Sequence, residues 1–154
     1  MNAKQWESCN SGEEMILALI ESKKRTPPMF WERFSCFCAR QTMSLLDNAS
    51  LVRGVELAHL HIDGQATPEE LQEASFTAHQ AVYVDRAKAP KECAGIVAFE
   101  AILAAAYPLQ KQDAALYAAR YAAQVAGGNG SKDQAQWIKL NINNPFTHWS
   151  WIRI

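Results

Sequence analysis

The sequence predicts an all-α fold: one helical domain over residues 1–154, an irregular bundle of about six or seven helices, with an extended aromatic tail over 146–154. Three observations carry that expectation. Apolar residues recur at helical spacing along most of the chain. Cap, proline and glycine signals cut it into helix-sized lengths. No segment before the tail has the alternation of a strand. With 154 residues, 49% of them apolar and 20% charged, the chain is long enough to bury a core without staples.

Taken in order, Trp6 opens a short N-terminal piece. Ser11 with Glu14 three residues on reads as a capping box for the segment MILALIES, which ends near Ser22. Residues 23–28 are a connector, and Pro27-Pro28 starts a helix over about 29–46, because proline is tolerated in a first turn. On its wheel Arg33, Arg40 and Ser44 form one narrow polar stripe. Trp31, Phe34, Cys38, Thr42, Leu45 and Leu46 lie opposite, flanked by Phe30, Phe37 and Ala39. A helix apolar round so much of its circumference belongs inside a bundle.

The next helix covers about 50–63, capped by Asn48 or Ser50 and stopped by Gly64. Leu51, Val52, Val55, Ala58 and Ile62 share one face, while Leu57 and Leu60 sit on another, so it touches two neighbours. Residues 30–64 therefore read as the packing centre. Thr67-Pro68-Glu69-Glu70 is the clearest helix start in the chain, with cap, proline and Glu in sequence. Its helix continues with Leu71, Ala74, Ala78 and Val82 and ends before Pro90. Residues 91–107 form a nearly wholly apolar helix ended by Pro108, and residues 112–126 an alanine-rich one ended by Gly127-Gly128. Small side chains let helices approach closely, so these two are expected to pair tightly, and the bundle to be built around the helices at 29–46, 50–63 and 91–107. Residues 129–131 read as a loop, with Ser131 and Gln134 capping a last helix that carries Trp137, Ile138 and Leu140 and stops at Asn143-Asn144-Pro145.

Composition narrows the function classes. A formal net charge of −1 argues against a nucleic-acid footprint, which needs a basic surplus on one face. Lys23-Lys24-Arg25 is a solvated connector. No run reaches the ~18 apolar residues of a membrane span, and the amino end has no apolar export signal. The expectation is a cytoplasmic protein whose four cysteines are thiols.

Several motifs together resemble a bacterial all-α family with no assigned activity. They are Arg33-Phe34-Ser35-Cys36-Phe37-Cys38-Ala39-Arg40, then Leu45-Leu46, then Gly54-Val55-Glu56-Leu57-Ala58. Ile62-Asp63-Gly64-Gln65-Ala66-Thr67-Pro68-Glu69-Glu70-Leu71 follows, and Asn144-Pro145-Phe146 lies near the end. Gln5-Trp6 through Glu14-Met15 is similar to the family's opening. Ala39 stands where the family has a second paired cysteine, residues 93–126 match in composition only, and the tail beyond Phe146 departs from the pattern. The shared residues are core, caps and turns, so the resemblance implies a common fold and no activity.

Cys36-x-Cys38 and His59-x-His61 have metal-ligand chemistry, yet helical residues two apart point roughly 200° from each other, so neither pair can chelate as a pair. Cys38 and His59 could still meet across helices; the plainer reading of Cys38 is a buried thiol. No metal site and no cofactor is expected. His61, in a last helical turn, suits the carbonyl end of the dipole. Glu100 is isolated in an apolar helix and reads as an acid paired with Arg40 or Arg120. No nucleophile-and-base signature marks a catalytic residue. Gly127-Gly128-Asn129-Gly130 lacks the lysine and preceding strand of a phosphate loop.

The tail places Phe146, Trp149, Trp151, Ile152 and Ile154 among the last nine residues. It either straps the bundle or docks on another chain, with Phe146, Trp149, Trp151 and Arg153 as the anchors, since Trp and Arg are favoured at interfaces. The preferred function is a non-enzymatic module that binds another protein or itself, of the size of an immunity, antitoxin-like or counter-defence inhibitor. The alternative is a ligand or enzyme pocket between helices, formed by Arg40, His59, Glu100 and Tyr117.

Overall fold

The computed structural model describes residues 1–83 and 91–147, and among them every regular element is helical. In chain order these are α1 (Ala3–Ser8), α2 (Gly12–Ser22), α3 (Phe30–Thr42), α4 (Ala49–Ile62), α5 (Pro68–Tyr83), α6 (Lys91–Ala106) and α7 (Lys111–Asn141). Short 3-10 turns follow α3 at Met43–Leu45 and precede α7 at Pro108–Gln110. The all-α bundle read from the sequence is the fold. No helix among the described residues is long and apolar enough to cross a membrane.

The caps follow the local chemistry. Thr67 and Glu70 form a reciprocal box: the Glu70 amide donates to Thr67 Oγ1 at 3.1 Å, and the Thr67 amide donates to Glu70 Oε1 at 3.0 Å. Hydrogen bonding from the Thr67 amide, and then from the Thr67 hydroxyl, holds the Glu70 carboxyl below its usual range. The Asn48 side chain accepts from the amides of Ser50 and Leu51, and Ser11 accepts from Glu14 at 3.2 Å. Asn2 and Gln5 make a further box that starts α1. The α3 start differs from expectation. Met29 is left-handed, with φ 60°, so the helix begins one residue later at Phe30. At the other end α3 stops at Thr42 and its last turn tightens to 3-10.

The packing hub is α6, which touches α3, α4, α5 and α7, and its contact with α7 is the most extensive in the molecule. Ala98, Ala101, Ala115, Ala118, Ala119 and Ala122 are fully buried there, so the alanine-rich pair does approach closely. The centre thus lies on α3, α6 and α7, and α4 is more peripheral than its sequence suggests. Its apolar residues divide between two clusters, Leu51 and Val55 in the larger, Leu57 and Ala58 in a smaller one with Cys36, Leu71, Ala105 and Ala106.

Helix α7 is two arms hinged on Gly127, whose φ of 75° and ψ of −164° only a residue without Cβ adopts readily. Gln134 Nε2 donates to the Ala119 carbonyl at 3.2 Å; fifteen residues of straight helix would put them about 22 Å apart. The second arm therefore folds back on the first. Helix resumes directly after Gly127, so residues 129–131 are not a loop and Ser131 and Gln134 form no cap. Gln134 is instead fully buried, donating also to Gln41 Oε1 at 3.0 Å while Gln41 donates to the Gly130 carbonyl at 2.9 Å. A Cβ on Gly12 would collide with Gln134, so the glycine at the start of α2 is what admits the second arm.

Candidate functional site

The polar stripe expected on α3 opens into a groove of about 340 Å³ lined by Arg33, Arg40, His59, Ile62, Asp63, Trp137 and Asn141. Three elements converge there. α3 supplies the arginines at i and i+7, on one side of the helix. α4 supplies His59, Ile62 and Asp63 from its last turn. The end of α7 supplies Trp137 and Asn141. The Trp137 ring is held from behind by Phe30, Phe34 and Phe37, with centroids at 5.8, 5.6 and 5.7 Å. Asn141 Nδ2 donates to the Trp137 carbonyl at 2.8 Å, which leaves its side-chain oxygen without that bond. Partial burial, and then the Arg40 charge, lower the His59 pKa, while Asp63 opposes them. Near neutral pH the imidazole is uncharged, so the groove's net charge is set by two arginines against one aspartate.

The four residues proposed to share a pocket do not form one unit. Arg40 and His59 meet in this groove. Glu100 lies elsewhere on α6, only 8% exposed, with Tyr83 and Asp113 as its electrostatic neighbours. Burial, and then Asp113, push its carboxyl up to about 7. Neither arginine expected to pair with it does so: Arg120 Nε donates to Glu13 Oε1 at 2.7 Å, and Arg40 has no ion-pair partner among the described residues. Tyr117 is exposed on α7 and carries the Arg120 guanidinium at 5.5 Å from its ring centre.

The cysteine pair divides as the wheel requires. Cys36 packs in the smaller cluster and Cys38 in the larger. Burial raises the Cys36 thiol to about 12, against the opposing Arg40 charge, and burial raises Cys38 as well. All four cysteines are free. Among the described residues no three His, Cys, Asp or Glu side chains gather as a metal site.

Of the tail anchors, Phe146 packs inward. Its ring lies 5.6 Å from Trp6, with Lys24 Nζ 5.6 Å above it, and Asn144 Nδ2 ties the segment to the Ala3 carbonyl and to Glu7 Oε1 at 2.9 Å each. Trp149, Trp151 and Arg153 lie outside the described residues.

A surface that sequence reading missed runs along α5. Phe76, His79 and Tyr83 are spaced i, i+3 and i+7 on one exposed face, with Phe76 68% and Tyr83 44% exposed. His79 and Tyr83 stack at 4.9 Å, and both meet Phe99 of α6 at 5.8 Å. The available signal was an aromatic pair seven residues apart, off the Leu71–Ala78 stripe. A hollow of about 450 Å³ separates α4 from α5, floored by Gly54, Leu57 and Ala74 and rimmed by Arg53, Glu70 and Glu73. No family model, curated protein or solved structure matches this chain.

Proposed function

We propose that this chain is a non-enzymatic protein-binding module. The observation that carries the reading is the ring stripe Phe76–His79–Tyr83, presented to solvent, with His79 and Tyr83 braced on Phe99. An exposed Phe at one end of an aromatic row has the character of an interface anchor, and helical i, i+3, i+7 spacing is a recurrent way to present one. Chemistry on the thiols of α3 is disfavoured, because Cys36 and Cys38 are buried and protonated where a nucleophile needs a thiolate. An immunity-like or counter-defence inhibitor fits the size and balanced charge, and the C-terminal Trp149, Trp151 and Arg153 are candidate anchors for the same partner.

The test uses tagged full-length protein, a Phe76→Asp variant and a chain truncated after Phe146. Phe76 is exposed, so Phe76→Asp should leave the helical circular dichroism and the melting curve unchanged. The wild type should retain a partner, or a second copy of itself in sedimentation, that Phe76→Asp loses by about tenfold or more in affinity. Identical binding by both defeats the α5 stripe as the contact. If truncation alone abolishes binding, the contact moves to the tail.

A further inference from the structure

We propose that the groove between α3, the end of α4 and the end of α7 is a binding site for a small oxyanion, a carboxylate or phosphate group, held by the guanidinium groups of Arg33 and Arg40. The inference concerns a different face from the α5 stripe and does not depend on it. It starts from a contrast among arginines. On the described helices, Arg53 pairs with Glu56 at 3.3 Å and Arg120 with Glu13 at 2.7 Å. Arg33 and Arg40 have no ion-pair partner among the described residues, and they are the two that line one concave surface.

The surroundings suit such a ligand. Guanidinium presents a planar fork of donors that matches a carboxylate or phosphate edge, and two forks on one wall can share a single anion or take both ends of a dianion. Trp137 forms a fixed wall, because three phenylalanine rings hold it from behind. His59, uncharged near neutrality, offers one donor or acceptor on the opposite wall. Asp63 is the single acid in the lining and disfavours an anion on its own side, so the ligand's charge belongs on the α3 wall, with its uncharged part toward Ile62 and Trp137. The volume of about 340 Å³ sets the size class at a small metabolite.

The experiment follows the indole N–H of Trp137 and the Nε–H signals of Arg33 and Arg40 by NMR on the full-length protein. Inorganic phosphate and succinate are titrated separately, each against sodium chloride at matched ionic strength. Saturable shifts of these three signals with phosphate identify a phosphate site, and with succinate a carboxylate site. Arg33→Gln and Arg40→Gln should each weaken that binding about tenfold or more, whereas Arg25→Gln, an exposed arginine outside the groove, should leave it unchanged. Shifts that grow linearly, that chloride reproduces, or that survive Arg40→Gln overturn the proposal. Because both arginines are exposed, the variants keep the fold, and a loss of saturation reports on the site.

Discussion

Arg33 and Arg40 on α3 and Glu100 on α6 are ionisable groups on two of the helices that hold the bundle together, yet they meet water differently. On α3 the two arginines fall on one stripe and stay exposed, while Glu32, Ser35 and Thr42 of the same helix are buried. Helix α6 has no such stripe: eleven of its residues are buried, Glu100 among them. An arginine cannot shed its charge within any ordinary pH range, so it must remain at water or find an anion. A carboxyl group has another route and can take up a proton, as the rise of Glu100 to about 7 indicates. The same excess of apolar surface therefore produces two outcomes, a solvated cationic groove open to an external anion and a shielded acid whose charge depends on pH.

The largest expected effect comes from removing the wall behind the groove. Phe34 is fully buried and meets both Phe30 and Trp137. Phe34→Ala should lower the unfolding free energy by about 3–5 kcal/mol in chemical denaturation. It should also free the Trp137 ring, seen as a red shift of its fluorescence in a background where the other tryptophans are replaced by phenylalanine. A loss under about 1 kcal/mol would mean that the groove's wall is independent of the core, and the contrast with Glu100 would weaken.

On the other side of the comparison the sign of the pH dependence decides. The folded-state pKa of Glu100, about 7, lies above the ordinary 4.5 of the unfolded chain. Between those values the native state keeps a proton that the unfolded state has released. Raising the pH therefore removes stability, starting near 4.5 and levelling off above 7. Glu100→Gln carries no such proton. Its stability relative to wild type should grow across that window by on the order of 2 kcal/mol, allowing for residual solvent access. Urea unfolding of both proteins at pH 5 and pH 8.5 measures it. Parallel pH profiles would show that Glu100 is solvated after all.

What could be read in the sequence follows from how local each signal is. The Thr67–Glu70 box, the Asn48 cap and the glycine stop at 64 were legible because their partners lie within a few residues. The Gly127 break was legible too, but its consequence was not. Whether a glycine ends a helix or folds it back depends on what the second arm meets, here Gln41, Ala119 and the space left by Gly12. The same limit applies to the site. Arg40 and His59 could be guessed to meet because α3 and α4 are joined by a short turn. Glu100 was assigned a cation on the rule that buried charge is paired. The alternative, neutralisation, needs the knowledge that Asp113 rather than Arg120 faces it. Exposure of Phe76 was invisible because an aromatic residue on a helix defaults to the core.

The smallest effect tests whether the two regions share a principle. His59 is the groove's counterpart to Glu100: burial acts first on both, and both are driven toward the uncharged form. They differ in the second cause, which for His59 is the positive charge of Arg40 and for Glu100 the negative charge of Asp113. Arg40→Gln should therefore raise the His59 pKa without bringing it to the ordinary 6.5, since burial remains. Arg53→Gln, whose guanidinium faces Glu56 on the outer side of α4, should leave it in place. Stability should change by no more than about 0.5 kcal/mol, because Arg40 is exposed and makes no ion pair among the described residues. The His59 ring-proton shift followed against pH reads the effect directly. An unmoved midpoint would mean that the arginine is too well screened to act across the groove, and a charge too screened to move a neighbouring imidazole would be a poor holder of an anion.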